Sequence, residues 1–427
     1  MTSNREYSEA FVWVWLPDEA KPVVAGKLTS EGEQLVFNYG QSYLARGNAI
    51  SIYEPELPLE AGTLPLLNGL SMPSCIRDAA PDAWGRRVVI NKKLGLKDNR
   101  SDISQLDELT YLLESGSDRI GALDFQLSAT EYVPRSAQNV SLEELLQSAD
   151  RVEKGIPLTM ELDQALQHGT SIGGARPKAL IEQDDKKFIA KFSSSTDLYS
   201  VVKAEFIAMR LAELAGLNVA PVELVKASNK DVLLIERFDR IHSEDEWKRK
   251  IMVSALTLFG LDSMMARYAS YEDFAEIIRY RFTDASKTLK ELFSRMVFNI
   301  LCGNTDDHER NHAAFWDGEM LTLTPAYDIC PQARTGNEAS QAMKIAGDNN
   351  LSQIRYCLNA ADKFLLSQKE AIAIIESLTR NIVKHWDYVC DSAELSAIDR
   401  SLFWQRQFLN AYVFEGLEED AKPLRDM

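Results

Sequence analysis

The stretch from Lys178 to Phe238 constrains the fold more than any other part of the chain. It reads as a strand (KALIEQ), a turn at Asp184 and Asp185, a second strand (KKFIAKF), a long helix (VVKAEFIAMRLAELAG) and two more strands (VAPVELVKA and DVLLIERF). The strands alternate or run apolar over short spans, whereas the apolar residues of the helix recur at three- and four-residue intervals. After Asp239 nearly everything reads as helix, including SKTLKELFSRMVFNILCG and LSQKEAIAIIESLTRNIVKHW, apart from short strands at AAFW and MLTLTPAY. An α+β fold follows, with a mostly helical C-terminal part.

The N-terminal part is β-rich from Phe11 to about Tyr53, where FVWVWL, VVAGKL and QLVFNYG are separated by turn residues. Helices are expected in PDAWGRRVVINKKLG, which Asp82 can cap, and in SQLDELTYLLE; IGALDFQL returns to a strand. SLEELLQSADRVEKG opens with a capping box, Ser141 followed by Glu144. Three domains are therefore expected, at 1–135, 136–239 and 240–427.

A hydrophobic content of 45% over 427 residues suffices for cores of that size. No apolar run reaches the roughly 20 residues needed to cross a bilayer, and the start lacks the basic-then-apolar order of a signal peptide, so a cytoplasmic, membrane-free protein is expected. The five cysteines are scattered, with no C-x-x-C, which argues against disulfides and structural zinc. A net charge of -17 opposes direct attraction to nucleic acid.

Phosphoryl transfer needs a backbone cradle for phosphates, a cation on them, oxygen ligands for magnesium and a carboxylate beside the attacking hydroxyl. GTSIGGARPKAL places Gly173 and Gly174 before a strand, where backbone N–H groups can approach phosphate. Lys191 lies in the apolar strand FIAKF, and Glu205 on the following helix is placed to orient it. In GNTDDHERNHAAF, Asp306 and Asn311 are separated by four residues, the D-x-x-x-x-N spacing of a catalytic base and a metal ligand. Asp328 in TPAYDICP stands where a second magnesium ligand is expected. The same segment spells HERNH, a literal H-E-x-x-H zinc pattern through His308, Glu309 and His312, and a zinc metallopeptidase is the rival enzyme reading. That pattern needs a continuous helix; Gly303 to Thr305 and the strand AAFW oppose one, and His312 is expected to be a packed loop histidine.

Taken together, SIGGARPK, FIAKF, LLIERFDR, GNTDDHERN and PAYDI, with APDAWGRRVV and DRIGALDF before them, resemble the ordered motifs of the HipA family of toxin serine/threonine kinases. The resemblance implies a two-lobed, protein-kinase-like fold with an extra β-rich N-terminal subdomain, and a kinase using ATP and Mg2+. It implies Asp306 as catalytic base, Asn311 and Asp328 as magnesium ligands, and a phosphate loop of Gly173, Gly174, Ala175, Arg176, Pro177 and Lys178. Lys191 grips phosphate, the backbone near Glu236 and Phe238 meets adenine, His308 and Tyr327 join the ATP-binding set, and Ser171 matches the autophosphorylated serine. Pro177 departs from the best-known members and removes one N–H donor from the loop. Many members pair with a small DNA-binding antitoxin, HipB-like, and meet DNA only through it; some phosphorylate an aminoacyl-tRNA synthetase. A mainly non-catalytic co-repressor acting with such an antitoxin is the rival outside enzymology.

Overall fold

The structure is a computed structural model that describes residues 6–94, 106–135, 141–154, 156, 176–194 and 197–426. The chain forms two compact units: Met1–Ser195 with Val225–Val253 and Phe315–Glu319, and Thr196–Leu224 with Ser254–Ala314 and Met320–Met427.

In the first unit, β1 (Glu9–Val14), β2 (Val23–Glu31), β3 (Gln34–Tyr39), β4 (Thr63–Leu64) and β5 (Leu123–Gln126) make an antiparallel sheet of order β4-β3-β2-β1-β5. Trp13 and Trp15 are buried here, and the Arg249 guanidinium lies 3.5 Å from the Trp15 ring. Helix α1 (Ala83–Leu94) starts after Asp82, whose carbonyl accepts from Arg86 N. Helix α2 (Glu108–Glu114) is capped by Asp107, and α3 (Leu142–Glu153) opens with both halves of the Ser141–Glu144 capping box in place.

Strands β6 (Lys178–Gln183), β7 (Lys186–Phe192), β8 (Val222–Ala227) and β9 (Lys230–Glu236) order as β6-β7-β9-β8. Asp184 and Asp185, at φ 51° and 58°, make the tight turn that the sequence predicts between β6 and β7. Phe188, Ala190 and Phe192 of β7 point to a core shared with Trp84 and Val88 of α1 and with Leu145, Ala149 and Val152 of α3. N-terminal helices and this sheet therefore stabilise each other. Where helix was expected, the chain after Asp239 instead makes a hairpin, Arg240–Ser243 against Glu246–Arg249. Its turn residues Glu244 and Asp245 take φ 55° and 61° without any glycine, so the usual hairpin signal is missing.

A buried charge cluster joins DRIGALDF to ERFDR inside this unit. Arg237 donates to both oxygens of Asp239 at 3.0 and 2.8 Å and to Asp118 Oδ1 at 2.9 Å. Arg240 reaches Asp118 Oδ1 at 2.7 Å, Asp239 Oδ2 at 2.9 Å and the Gly121 carbonyl at 2.8 Å. Gly121 N donates back to Asp239 Oδ2 at 2.8 Å, and Lys187 Nζ to Asp118 Oδ2 at 3.0 Å. Burial pushes both carboxyls up, but the guanidiniums outweigh it: Asp118 is held well below the carboxylate range and Asp239 at about 2.

The second unit is helical, with α4 (Val201–Leu214), α5 (Tyr271–Arg281), α6 (Ala285–Cys302) and α7 (Gln368–Ser392). Helix α6 buries Leu289, Leu292, Phe293, Met296, Val297 and Ile300 and packs against α5 and α7. Among the described residues no helix is long and apolar enough to cross a membrane.

Candidate active site

Helix α6 delivers the chain to the segment that carries the D-x-x-x-x-N spacing. It ends in Gly303, at φ 73°, where a Cβ would lie 2.5 Å from the Gln407 carbonyl oxygen. Only glycine satisfies both the left-handed backbone and the close approach. Gly303→Ala is expected to lower stability by about 1–3 kcal/mol, read as a lower denaturation midpoint at unchanged slope. An unaltered midpoint would show that the loop has room to shift.

Beyond the cap, Asn304 turns back on α6: its N donates to the Asn299 carbonyl at 2.9 Å and its Nδ2 to Asn299 Oδ1 at 3.0 Å. The two aspartates then part. Asp307 is buried, accepts from the Tyr271 hydroxyl and pairs with His312 Nε2 at 3.0 Å. The His312 ring packs edge-on against Tyr271 and Phe274, the packed loop histidine that the sequence predicts. Asp306 is exposed, and its carbonyl accepts from Asn311 Nδ2 at 3.3 Å. The outer face of Asp306 meets solvent while its inner side is partly desolvated. That desolvation raises its pKa; His308 pulls it down, and the carboxylates of Asp328 and Glu309 push it up again.

HERNH does not form the helix that a zinc pattern requires. Glu309–Asn311 is a single 3₁₀ turn, His308 heads it by accepting from Arg310 N at 3.2 Å through Nδ1, and His312 is engaged with Asp307. Two imidazoles so occupied do not share one face of a helix, and among the described residues no group of three or more His, Cys, Asp or Glu is placed to hold a metal.

Asp328 adopts φ 60°, a left-handed conformation that Asp tolerates better than most residues and that recurs at functional sites. Its approach is fixed from both sides. Ala326 N donates to the Asn218 carbonyl at 2.8 Å and its carbonyl accepts from Ala220 N at 2.9 Å. The buried Arg295 of α6 clamps the carbonyls of Asn218 and Thr324 at 3.0 and 2.9 Å. Tyr327 OH donates to the Arg310 carbonyl at 2.8 Å, which ties the Asp328 segment to the turn bearing Asn311. Amide and carboxylate oxygens are hard donors, the kind that suits magnesium rather than zinc.

The remaining candidates lie as follows. Lys178 and Lys191 are direct partners across β6 and β7, so their side chains share a sheet face, the one opposite the Phe188–Phe192 core. Both are buried, at 2% and 8% exposure. Pro177 is buried, its carbonyl accepting from Phe192 N at 3.1 Å; Arg176 precedes it, half-buried. Glu236 accepts from Lys186 Nζ at 2.6 Å, and Phe238 meets Phe315 edge-on. Glu205 is buried on α4, in the other unit from Lys191. Ser171, Gly173, Gly174 and Ala175 lie outside the described residues. Sequence reading missed the Tyr271 partner of Asp307 and the charge cluster around Asp118. The signal for the latter was present, since DRIGALDF and ERFDR each set charges inside apolar runs.

Residues 170–386 match the model of the HipA-like C-terminal domain, and residues 14–126 that of the HipA N-terminal domain. The serine/threonine-protein kinase toxin HipA of Shewanella oneidensis is 26% identical over 267 residues, 56% of this chain and 60% of that protein. The putative kinase Y4mE of Sinorhizobium fredii is 29% identical over 146 residues, 33% of each chain. These alignments thus span less than two thirds of the relatives' length. The fold extends further: HipA in the Shewanella oneidensis complex of HipA, HipB and operator DNA superposes with a TM-score of 0.71 at 21% identity, covering 98% of this chain and 99% of that one. With a family model matched over half its length and the same fold from end to end, the chain belongs to the HipA family.

Proposed function

We propose that this chain is an ATP- and magnesium-dependent serine/threonine protein kinase, the toxin of a toxin-antitoxin pair. The observation that carries the reading is the division of labour in the aspartate doublet. Asp307 is spent on Tyr271 and His312, while Asp306 stays open beside Asn311 and within the field of Asp328. Asp306 accepts the proton of the attacking hydroxyl; its raised pKa makes it a better base than an ordinary surface carboxylate. Asn311 and Asp328 hold the metal, which when bound supplies charge neutralisation on the phosphates. Lys191, with Lys178 opposite, provides cations for phosphate, and the backbone at Glu236 and Phe238 receives adenine. His308 and Tyr327 complete the ATP set, Gly173, Gly174, Ala175, Arg176 and Pro177 the phosphate loop, Glu205 orients Lys191, and Ser171 is the self-modified hydroxyl.

The Shewanella oneidensis complex of HipA, HipB and operator DNA supports a HipB-like DNA-binding antitoxin as partner, with DNA met through that complex; the protein substrate we propose, of the aminoacyl-tRNA synthetase kind, rests on the family resemblance alone. Incubation of the purified chain with labelled ATP should put label into protein only when magnesium is present, and a zinc chelator should change nothing. Lys191→Ala should lose labelling and be tolerated by cells that the intact chain arrests. Stoichiometric zinc whose removal ends the activity would overturn the reading.

A further inference from the structure

The segment beyond Asp328 buries a cation to which the described residues offer no acceptor. Arg334 is 8% exposed, and its Nε, Nη1 and Nη2 atoms are all without a hydrogen-bond partner. Burial pulls its pKa down while the Tyr412 phenol acts the other way, but a guanidinium does not deprotonate under ordinary conditions. A buried charge with no partner is among the least favourable arrangements a fold can keep. Arg355, half-buried, also acts on Tyr412, and its Nε is likewise without an acceptor. Arg406 donates to the Arg334 carbonyl at 3.4 Å. The carboxylates in this field, Glu338 and Glu415, act on Tyr412, and neither hydrogen-bonds Arg334.

We propose that Arg334 is the floor of an oxyanion pocket, with Arg355 and the Tyr412 hydroxyl on its walls, and that its ligand is a phosphate group. Two guanidinium forks and a phenol present more donors than the two oxygens of a carboxylate can accept, whereas a tetrahedral phosphate matches them. The buried amide oxygens Gln341 Oε1 and Gln407 Oε1 also have no partner, so this segment as a whole is short of hydrogen bonds. Entry is through the exposed residues 335–338, where Gly336 has open space around it. The pocket uses none of the residues assigned to the nucleotide. Its floor is anchored to the α6 cap, since Gln332 N donates to the Gly303 carbonyl at 3.0 Å and Gln407 Nε2 to the Gln332 carbonyl at 3.0 Å.

The test is calorimetric titration of the full chain, without nucleotide, using inorganic phosphate in one arm and O-phosphoserine in the other, alongside melting curves in chloride at matched ionic strength. Arg334→Met should weaken phosphate binding by at least about tenfold. It should also melt no lower than the parent in chloride, because replacing an uncompensated buried charge by an apolar chain is neutral or stabilising. Arg355→Gln, at a less buried position, should weaken the same binding. Tighter binding of phosphoserine than of phosphate would assign the ligand to a modified side chain, and the reverse order to the free ion. Equal binding by parent and Arg334→Met, no binding by the parent, or a much lower melting point of Arg334→Met in chloride would each overturn the pocket.

Discussion

Asp306→Asn is expected to reduce phosphate incorporation by about 10²-fold or more while ATP affinity stays largely intact. An amide keeps the shape of the carboxyl but cannot take the hydroxyl proton. Its melting temperature should stay level or rise, because the substitution removes repulsion from Asp328 and Glu309. Asp307→Asn should behave in the opposite way. There the buried carboxylate that receives Tyr271 OH and His312 Nε2 is lost, so the protein should melt earlier, with activity falling as a consequence. Labelling assays and melting curves on both variants separate the two roles. A fully active Asp306→Asn beside a stable, inactive Asp307→Asn would exchange the assignments.

The largest effect on stability should come from Asp118→Ala, which leaves Arg237 and Arg240 buried with part of their compensation gone. Breaking such a cluster from one side costs about 3–5 kcal/mol, measured by denaturant unfolding. The same cluster fixes an acid limit. Asp239 titrates at about 2 in the fold against an ordinary 3.8, so its contribution is complete above pH 4 and disappears as the pH falls toward 2. That contribution is about 2 kcal/mol, and Asp118 acts in the same direction. In Asp239→Asn the loss of stability between pH 4 and 2 should be shallower than in the parent; identical slopes would remove Asp239 from the acid transition.

Much of this was legible because local signals and tertiary fate agree. The capping box at Ser141, the turn at Asp184 and Asp185 and the helix closed by Gly303 each have a residue whose chemistry forces one outcome. The spacing from Asp306 to Asn311 was visible, whereas the different burial of the two neighbouring carboxylates was not. The hairpin after Asp239 was hidden, because Glu244 and Asp245 enter left-handed conformations without glycine. The link from Asp118 to Arg237 and Arg240 spans more than a hundred positions, and periodicity carries no information across such a distance. Arg334 was silent for a different reason: nothing in a sequence says that a guanidinium will be buried without an acceptor.

The turn at Asp184 and Asp185 sits on the surface and touches no residue assigned to chemistry, yet it sets which lysine faces which across β6 and β7. Strand side chains alternate with a period of two, so a single residue inserted there would rotate one strand's whole set by half a turn and send Lys178 and Lys191 to opposite faces. A loop tip is ordinarily where a chain best tolerates changes of length. If Lys178 and Lys191 serve phosphate as proposed, this one has no such freedom: its length becomes a dimension of the site, and natural variation here should be confined to substitution, with insertion and deletion suppressed.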